Sequence, residues 1–190
     1  MLFRSCRAPM GAVEKAAQTP RDRRGRVSRA GFEKFPDMAA MTRHFPPTAD
    51  HCAILGADTF LLPGANPPAH WRLLPFGSAD VPAFLSTIDF FIYFTHPNCR
   101  ESFGRVLAEA IAAGKVVITD KGTAGTFGRS VISSDGHDLD RIIAGFVRAP
   151  RRYQTFVRAA QQRLSAYSAD AFRKMVCGVL RADAQRETAV

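Results

Sequence analysis

Residues 89–95 read DFFIYFT and residues 115–119 read KVVIT. Runs this apolar fit strands covered on both faces, which occur where helices lie on the two sides of a parallel sheet. Between the two runs stands a stretch of helical pattern, the crossover that two parallel strands require. The same alternation runs through most of the chain, the signature of parallel strands joined by crossover helices.

The reading along the chain begins with GRVS at 25–28 as a first strand. Pro36 suits the first turn of a helix on which Met38, Met41, Thr42 and Phe45 share a face, and Pro46 and Pro47 stop it. Strands follow at 51–57 and 71–76, with a short helix over 81–87 before the central strand at 89–95. After the strand at 115–119, DKGTAGTFG at 120–128 is expected to be a loop and 130–134 an edge strand. Amphipathic helices are expected at 141–148, 153–167 and 169–181. The fold class is therefore α/β: a single Rossmann-like domain with an open, mainly parallel sheet and ligand sites at the carboxyl ends of its strands.

The chain has 190 residues, 46% apolar and 23% charged, the size and balance of one soluble globular domain. Residues 1–23 lack periodicity and are expected to form a disordered or loosely packed basic tail, with the domain over 24–182 and a flexible end at 183–190. Neither an apolar leader nor 18 consecutive apolar residues is present, so the expected location is cytoplasmic. Cys6, Cys52, Cys99 and Cys177 lie far apart, with no zinc-like or disulfide-like spacing.

The formal charge of +9 is concentrated in RDRRGR at 21–26, in RAPRR at 148–152 and along the last helices. It favours phosphates, nucleic acid or an anionic membrane surface as partners, or it is a set of solvated arginines. Nucleic acid is disfavoured by the absence of a recognised motif. Peripheral contact with anionic lipid stays open.

Residues 100–114, RESFGRVLAEAIAAG, follow the central strand and open a helix, where backbone N–H groups near Ser102, Phe103 and Gly104 suit an anion. Phe103, Leu107, Ala110 and Ile111 share the core-facing side. Glu101 and Glu109, with seven residues between them, would lie about 12 Å apart along a helix that included both. Each could accept paired hydrogen bonds from vicinal hydroxyls. Alternatively Glu101 is a favourable acid at a helix start and Glu109 a solvated helix residue.

The stretch ESFGRVLAEAIAAGKVVIT resembles the donor-binding motif of retaining GT-B glycosyltransferases of the family 4 type, whose pattern is EGFG followed by LxEAxAxGxPVV. Asp89, the strand after it, Phe103, Gly104, Glu109, Ala110, Ala113, Gly114, Val116 and Val117 match in order. GRVSRAGFEK resembles the first strand of the family's donor domain, so the likeness runs over roughly 24–182. Ser102 stands in place of the usual Gly and Lys115 in place of Pro. The loop GTAGTFG lacks the family's acidic residue, and Arg26 and Lys34 lie further apart than usual.

The resemblance implies the carboxyl-terminal, donor-binding half of a GT-B fold, without the amino-terminal acceptor domain, in a truncated or split glycosyltransferase. It implies catalytic roles for Glu101, on the donor sugar, and for Arg26 and Lys34, on the leaving diphosphate. It implies that Glu109 binds the ribose and that Ser102, Phe103 and Gly104 bind sugar or phosphate at the helix start. Fixed cations can stabilise a leaving diphosphate without a metal, so the expected ligand is a nucleotide-diphosphate sugar and no cofactor. A non-catalytic nucleotide-sugar-binding module acting through a partner chain is the alternative. His96 is expected to make a structural hydrogen bond, and His44, His51, His70 and His137 show no partner pattern. Phe172, Met175, Val176, Val179 and Leu180 form an apolar stripe that packs on its own domain, on a partner chain or on a second copy.

Overall fold

The computed structural model describes residues 15–29, 31–99 and 104–168, with 171, 173 and 177 as single positions. The strands are β1 (Arg23–Val27), β2 (His51–Leu55), β3 (Trp71–Leu74), β4 (Phe90–Tyr93), β5 (Val116–Thr119) and β6 (Ile132–Ser133). The helices are α1 (Met38–His44), α2 (Val81–Ser86), α3 (Arg105–Ala112), α4 (Lys121–Phe127), α5 (Leu139–Val147) and α6 (Pro150–Leu164). Among the described residues the strands form one sheet in the order β3-β2-β1-β4-β5-β6, and every pairing is parallel.

Strand β4 is buried along its whole length, and its side chains divide between two cores. Phe91 and Tyr93 join Leu55, Leu107 and Val117 on one side of the sheet, while Phe90 and Ile92 join Ile54, Ile118 and Tyr153 on the other. This is the two-sided burial that the apolar run demanded, at about 1.5–3 kcal/mol per large side chain removed from water. The close seam between β1 and β4 depends on Gly25. A Cβ there would stand 2.6 Å from Ile88 Cδ1.

The basic run at 21–26 is largely structural. Arg23 Nε and Nη2 donate to the two oxygens of buried Asp89 at 2.7 and 3.1 Å, and Tyr153 Oη donates to the Asp89 and Gly114 carbonyls. Arg24 is buried and donates to Asp22, to Asp140 at 2.6 Å and to the His44 carbonyl at 3.0 Å. Arg24 is enclosed and Arg23 partly so, and their own chain supplies the carboxylates and carbonyls that pair with them.

Other expectations shift in detail. Residues 120–128 are helical rather than a loop: Asp120 caps α4 by accepting from Thr123 N at 2.9 Å, and Thr123, Ala124 and Phe127 face the core. Helix α1 starts after Asp37, whose side chain accepts from Ala40 N, and it buries Ala40, Met41 and His44 while Met38 and Thr42 are exposed. Ordered packing begins before residue 24: Ala16 and Ala17 pack against the core and Pro20 is buried. Strand β6 lies at the sheet's edge, as expected. The stripe from Phe172 to Leu180 lies outside the described residues.

Candidate functional site

Strand order reverses between β1 and β4, whose next elements leave on opposite sides of the sheet, so a crevice opens beyond their carboxyl ends. Arg26 is the penultimate residue of β1 and is fully buried. Its guanidinium carbon lies 4.5 Å from the centre of the Phe35 ring and 4.7 Å from that of Tyr93. Nη1 donates to the Phe94 carbonyl, and Nη2 donates to the Lys34 carbonyl and to Ser28 Oγ at 3.2 Å. Arg26 is therefore enclosed at the carboxyl end of β1.

Lys34 ends a 3-10 turn, Phe32–Lys34, in the connection from β1 to α1. Its Nζ lies 3.9 Å from Cys99 Sγ, in the loop after β4. The two connections are further joined by His96 N, which donates to the Glu33 carbonyl at 3.3 Å. His96 Nδ1 accepts from Asn98 N at 3.2 Å, and Thr95 Oγ1 donates to the Cys99 carbonyl at 3.1 Å. The structure thus brings Arg26 and Lys34 together, in contact with the segment that leads into α3.

Glu101, Ser102 and Phe103 lie outside the described residues. Helix α3 begins at Arg105, with Gly104 as its N-cap at φ 70°, ψ 56°, a left-handed conformation open to glycine at little cost. The expected separation of Glu101 from Glu109 along a helix lies outside the described residues. Leu107, Ala110 and Ile111 are buried, as their spacing predicted. Glu109 is half-buried, with Oε1 3.4 Å from Arg105 Nε one turn earlier. Burial raises its carboxyl above the usual range, opposed by Arg105.

Sequence reading passed over several groups at this end of the sheet. Thr119, last in β5, is fully buried and donates from Oγ1 to the Tyr93 carbonyl at 2.6 Å, holding β4 and β5 level where the crevice opens. His44 is buried and packs against Phe94, ring centres 4.5 Å apart and planes tilted by 35°. Burial first, then Arg26, Arg43 and Arg24, lower its pKa to about 4, so it is a neutral imidazole at neutral pH. A polar residue at the end of an apolar strand was the available signal for Thr119; nothing in the spacing of His44 distinguishes it. Among the described residues no group of three or more His, Cys, Asp or Glu side chains stands together as a metal site, and no helix is long and apolar enough to cross a membrane.

No protein-family model matches the chain, and no curated protein matches it. Solved structures do. Anabaena HepE in complex with UDP-glucose superposes with a TM-score of 0.63 at 19% identity, over 85% of this chain and 49% of HepE. S. aureus TarM, solved with UDP, superposes with a TM-score of 0.65 at 14% identity, over 87% of this chain and 37% of TarM. The pneumococcal O-GlcNAc transferase GtfA in complex with UDP and GlcNAc gives a TM-score of 0.56 at 18% identity, over 89% of this chain and 38% of GtfA. The chain spans half or less of the length of each. At these identities the likeness is one of fold, and the fold is that of a domain found in GT-B glycosyltransferases.

Proposed function

We propose that this chain is the donor-binding domain of a retaining GT-B glycosyltransferase of the family 4 type, corresponding to that fold's carboxyl-terminal half. It holds a nucleoside diphosphate sugar in the crevice between the carboxyl ends of β1 and β4. The observation that carries this reading is the position of α3: the helix of the ESFGRVLAE stretch starts beside the sheet's switch point, where the Lys34 turn also arrives. HepE, TarM and GtfA, each solved with UDP or a UDP-sugar, support it.

In this reading Lys34 and the N-terminal N–H groups of α3 receive the charge that develops on the leaving diphosphate, with no metal required. Glu109 accepts hydrogen bonds from the ribose hydroxyls, Glu101 from the donor sugar, and the backbone at Ser102, Phe103 and Gly104 lies against sugar or phosphate. Arg26 adds its charge to that of Lys34. Acceptor binding belongs to a second domain or a partner chain, which the coverage of half or less of each neighbour supports. The same observation favours the second reading, a binding module without transfer activity of its own.

Calorimetric titration of the chain with UDP, GDP and ADP tests the site. Binding to one of the three is expected, weakened about tenfold or more in Glu109→Ala through loss of paired hydrogen bonds to the ribose. Equal binding by the variant and the parent would remove Glu109 from the site. Transfer from a matching nucleotide sugar to water or an added acceptor separates the enzyme from the binding module.

A further inference from the structure

We infer that the outward face of α6 is a docking surface for an acidic segment of a second protein chain, one that carries an apolar side chain among its carboxylates. Such docking does not depend on the donor-site reading. Helix α6 has the sequence PRRYQTFVRAAQQRL, without an Asp or Glu. Its Tyr153, Val157, Ala160 and Leu164 face the protein, and Tyr153 Oη donates to the carbonyls of Asp89 and Gly114, just ahead of β4 and β5. The helix therefore crosses the amino ends of these strands, and its other side looks away from the crevice.

That side is cationic along its length. Arg151, Arg152, Arg158 and Arg163 are exposed on it, Arg148 is exposed just before it, and Arg129 lies alongside, its carbonyl accepting from Arg163 at 3.4 Å. Among the described residues none of these arginines pairs with a carboxylate, in contrast to Arg23 and Arg24. Two open recesses border the helix. One, of about 430 Å³, has Ile132, Phe146 and Phe156 for apolar walls beside Arg151 and Arg152, and the Arg152 guanidinium lies 5.1 Å from the centre of the Phe146 ring. The other, of about 800 Å³, holds Lys15 and Arg158 and no acidic side chain.

A recessed apolar wall receives a side chain that protrudes from a partner, whereas a bilayer is entered by side chains that protrude from the protein. Among the described residues no exposed large apolar side chain lies on α6. Its cations are all arginines, the residue enriched at protein interfaces where lysine is depleted, and each guanidinium can hold a carboxylate through two parallel hydrogen bonds. The terminal segments 1–14 and 169–190 carry more cations than acids, so an occupant of matching charge comes from another chain.

The experiment follows the fluorescence anisotropy of a labelled peptide, Glu-Glu-Glu-Leu-Glu-Glu-Glu, with the full chain at low ionic strength, after circular dichroism has shown that each variant is folded. The parent is expected to bind it, and Arg151→Glu and Arg158→Glu each to weaken binding about tenfold by turning an attraction into a repulsion. Should either fail to fold, the glutamine variant takes its place, with a loss of about threefold. Arg72→Glu makes the same change of charge at an exposed arginine on β3 and is expected to alter affinity by less than about twofold. The peptide with alanine in place of leucine is expected to bind about fivefold more weakly. No binding by the parent, equal weakening by all three variants, or equal binding of the two peptides overturns the inference. Vesicles of phosphatidylcholine and phosphatidylglycerol, or a single-stranded oligothymidylate, at equal total negative charge, are each expected to displace less than half of the bound peptide. Greater displacement by either overturns it and makes the face a membrane or nucleic-acid surface instead.

Discussion

His44 shows how a single side chain can set the acid limit of this domain. It is buried against Phe94 among Arg26, Arg43 and Arg24, with Asp37 opposing them, and its folded pKa of about 4 lies below the ordinary 6.5. The unfolded chain therefore binds a proton that the folded one refuses. Stability is complete above pH 6.5 and falls progressively as pH drops towards 4, by about 3 kcal/mol in all. Urea unfolding at pH 7 and pH 4 should show this extra loss in the parent and not in His44→Leu, the difference separating His44 from the carboxylates that titrate over the same range. Glu109 has the opposite sign. Its raised carboxyl favours the protonated form in the folded state, so its contribution is greatest in acid and is lost as pH rises through its folded pKa.

At the scale of elements, α4 is instructive because its sequence, KGTAGTF, argues against a helix: two glycines and two threonines lower its intrinsic propensity. It forms because Asp120 caps it twice over, accepting from Thr123 N at 2.9 Å and from Thr123 Oγ1 at 2.8 Å, and because Ala124 and Phe127 reach the core. Asp120→Ala is expected to cost about 1 kcal/mol in urea unfolding, the usual value of a cap. No measurable loss would mean that packing alone holds the element. The apolar stripe of α3 and the unbroken runs of β4 and β5 were legible in advance, since each follows directly from residue spacing. The start of α3 was not, because it depends on Gly104 taking a left-handed turn.

At the scale of the whole molecule, Asp89 gathers three distant parts of the chain at the amino end of β4. Its side chain, 1% exposed, accepts from Arg23 and from Arg21 N, and its carbonyl accepts from Tyr153 on α6. Removing one partner of a buried ion pair costs about 3–5 kcal/mol, and the exposure of Arg23 to about a third lowers that here. Asp89→Asn is therefore expected to lose about 2 kcal/mol in denaturant unfolding while UDP affinity is unchanged, because Asp89 lies at the end of the sheet away from the crevice. A selective loss of affinity without destabilisation would contradict that assignment.

The amino-acid sequence by itself determined the layered α/β plan, the parallel strands and the helix that carries Glu109, because burial of an apolar run on two faces leaves few other arrangements. The family resemblance named Arg26 and Lys34 together, and in the structure the Arg26 guanidinium donates to the Lys34 carbonyl. Only the tertiary structure decided that Arg26 is fully buried, held by carbonyls of two connections beside two aromatic rings. Charge is a property of the residue, but the partners that absorb it arrive from positions up to 68 residues away. Long-range pairing of this kind leaves no local periodicity in the chain to read.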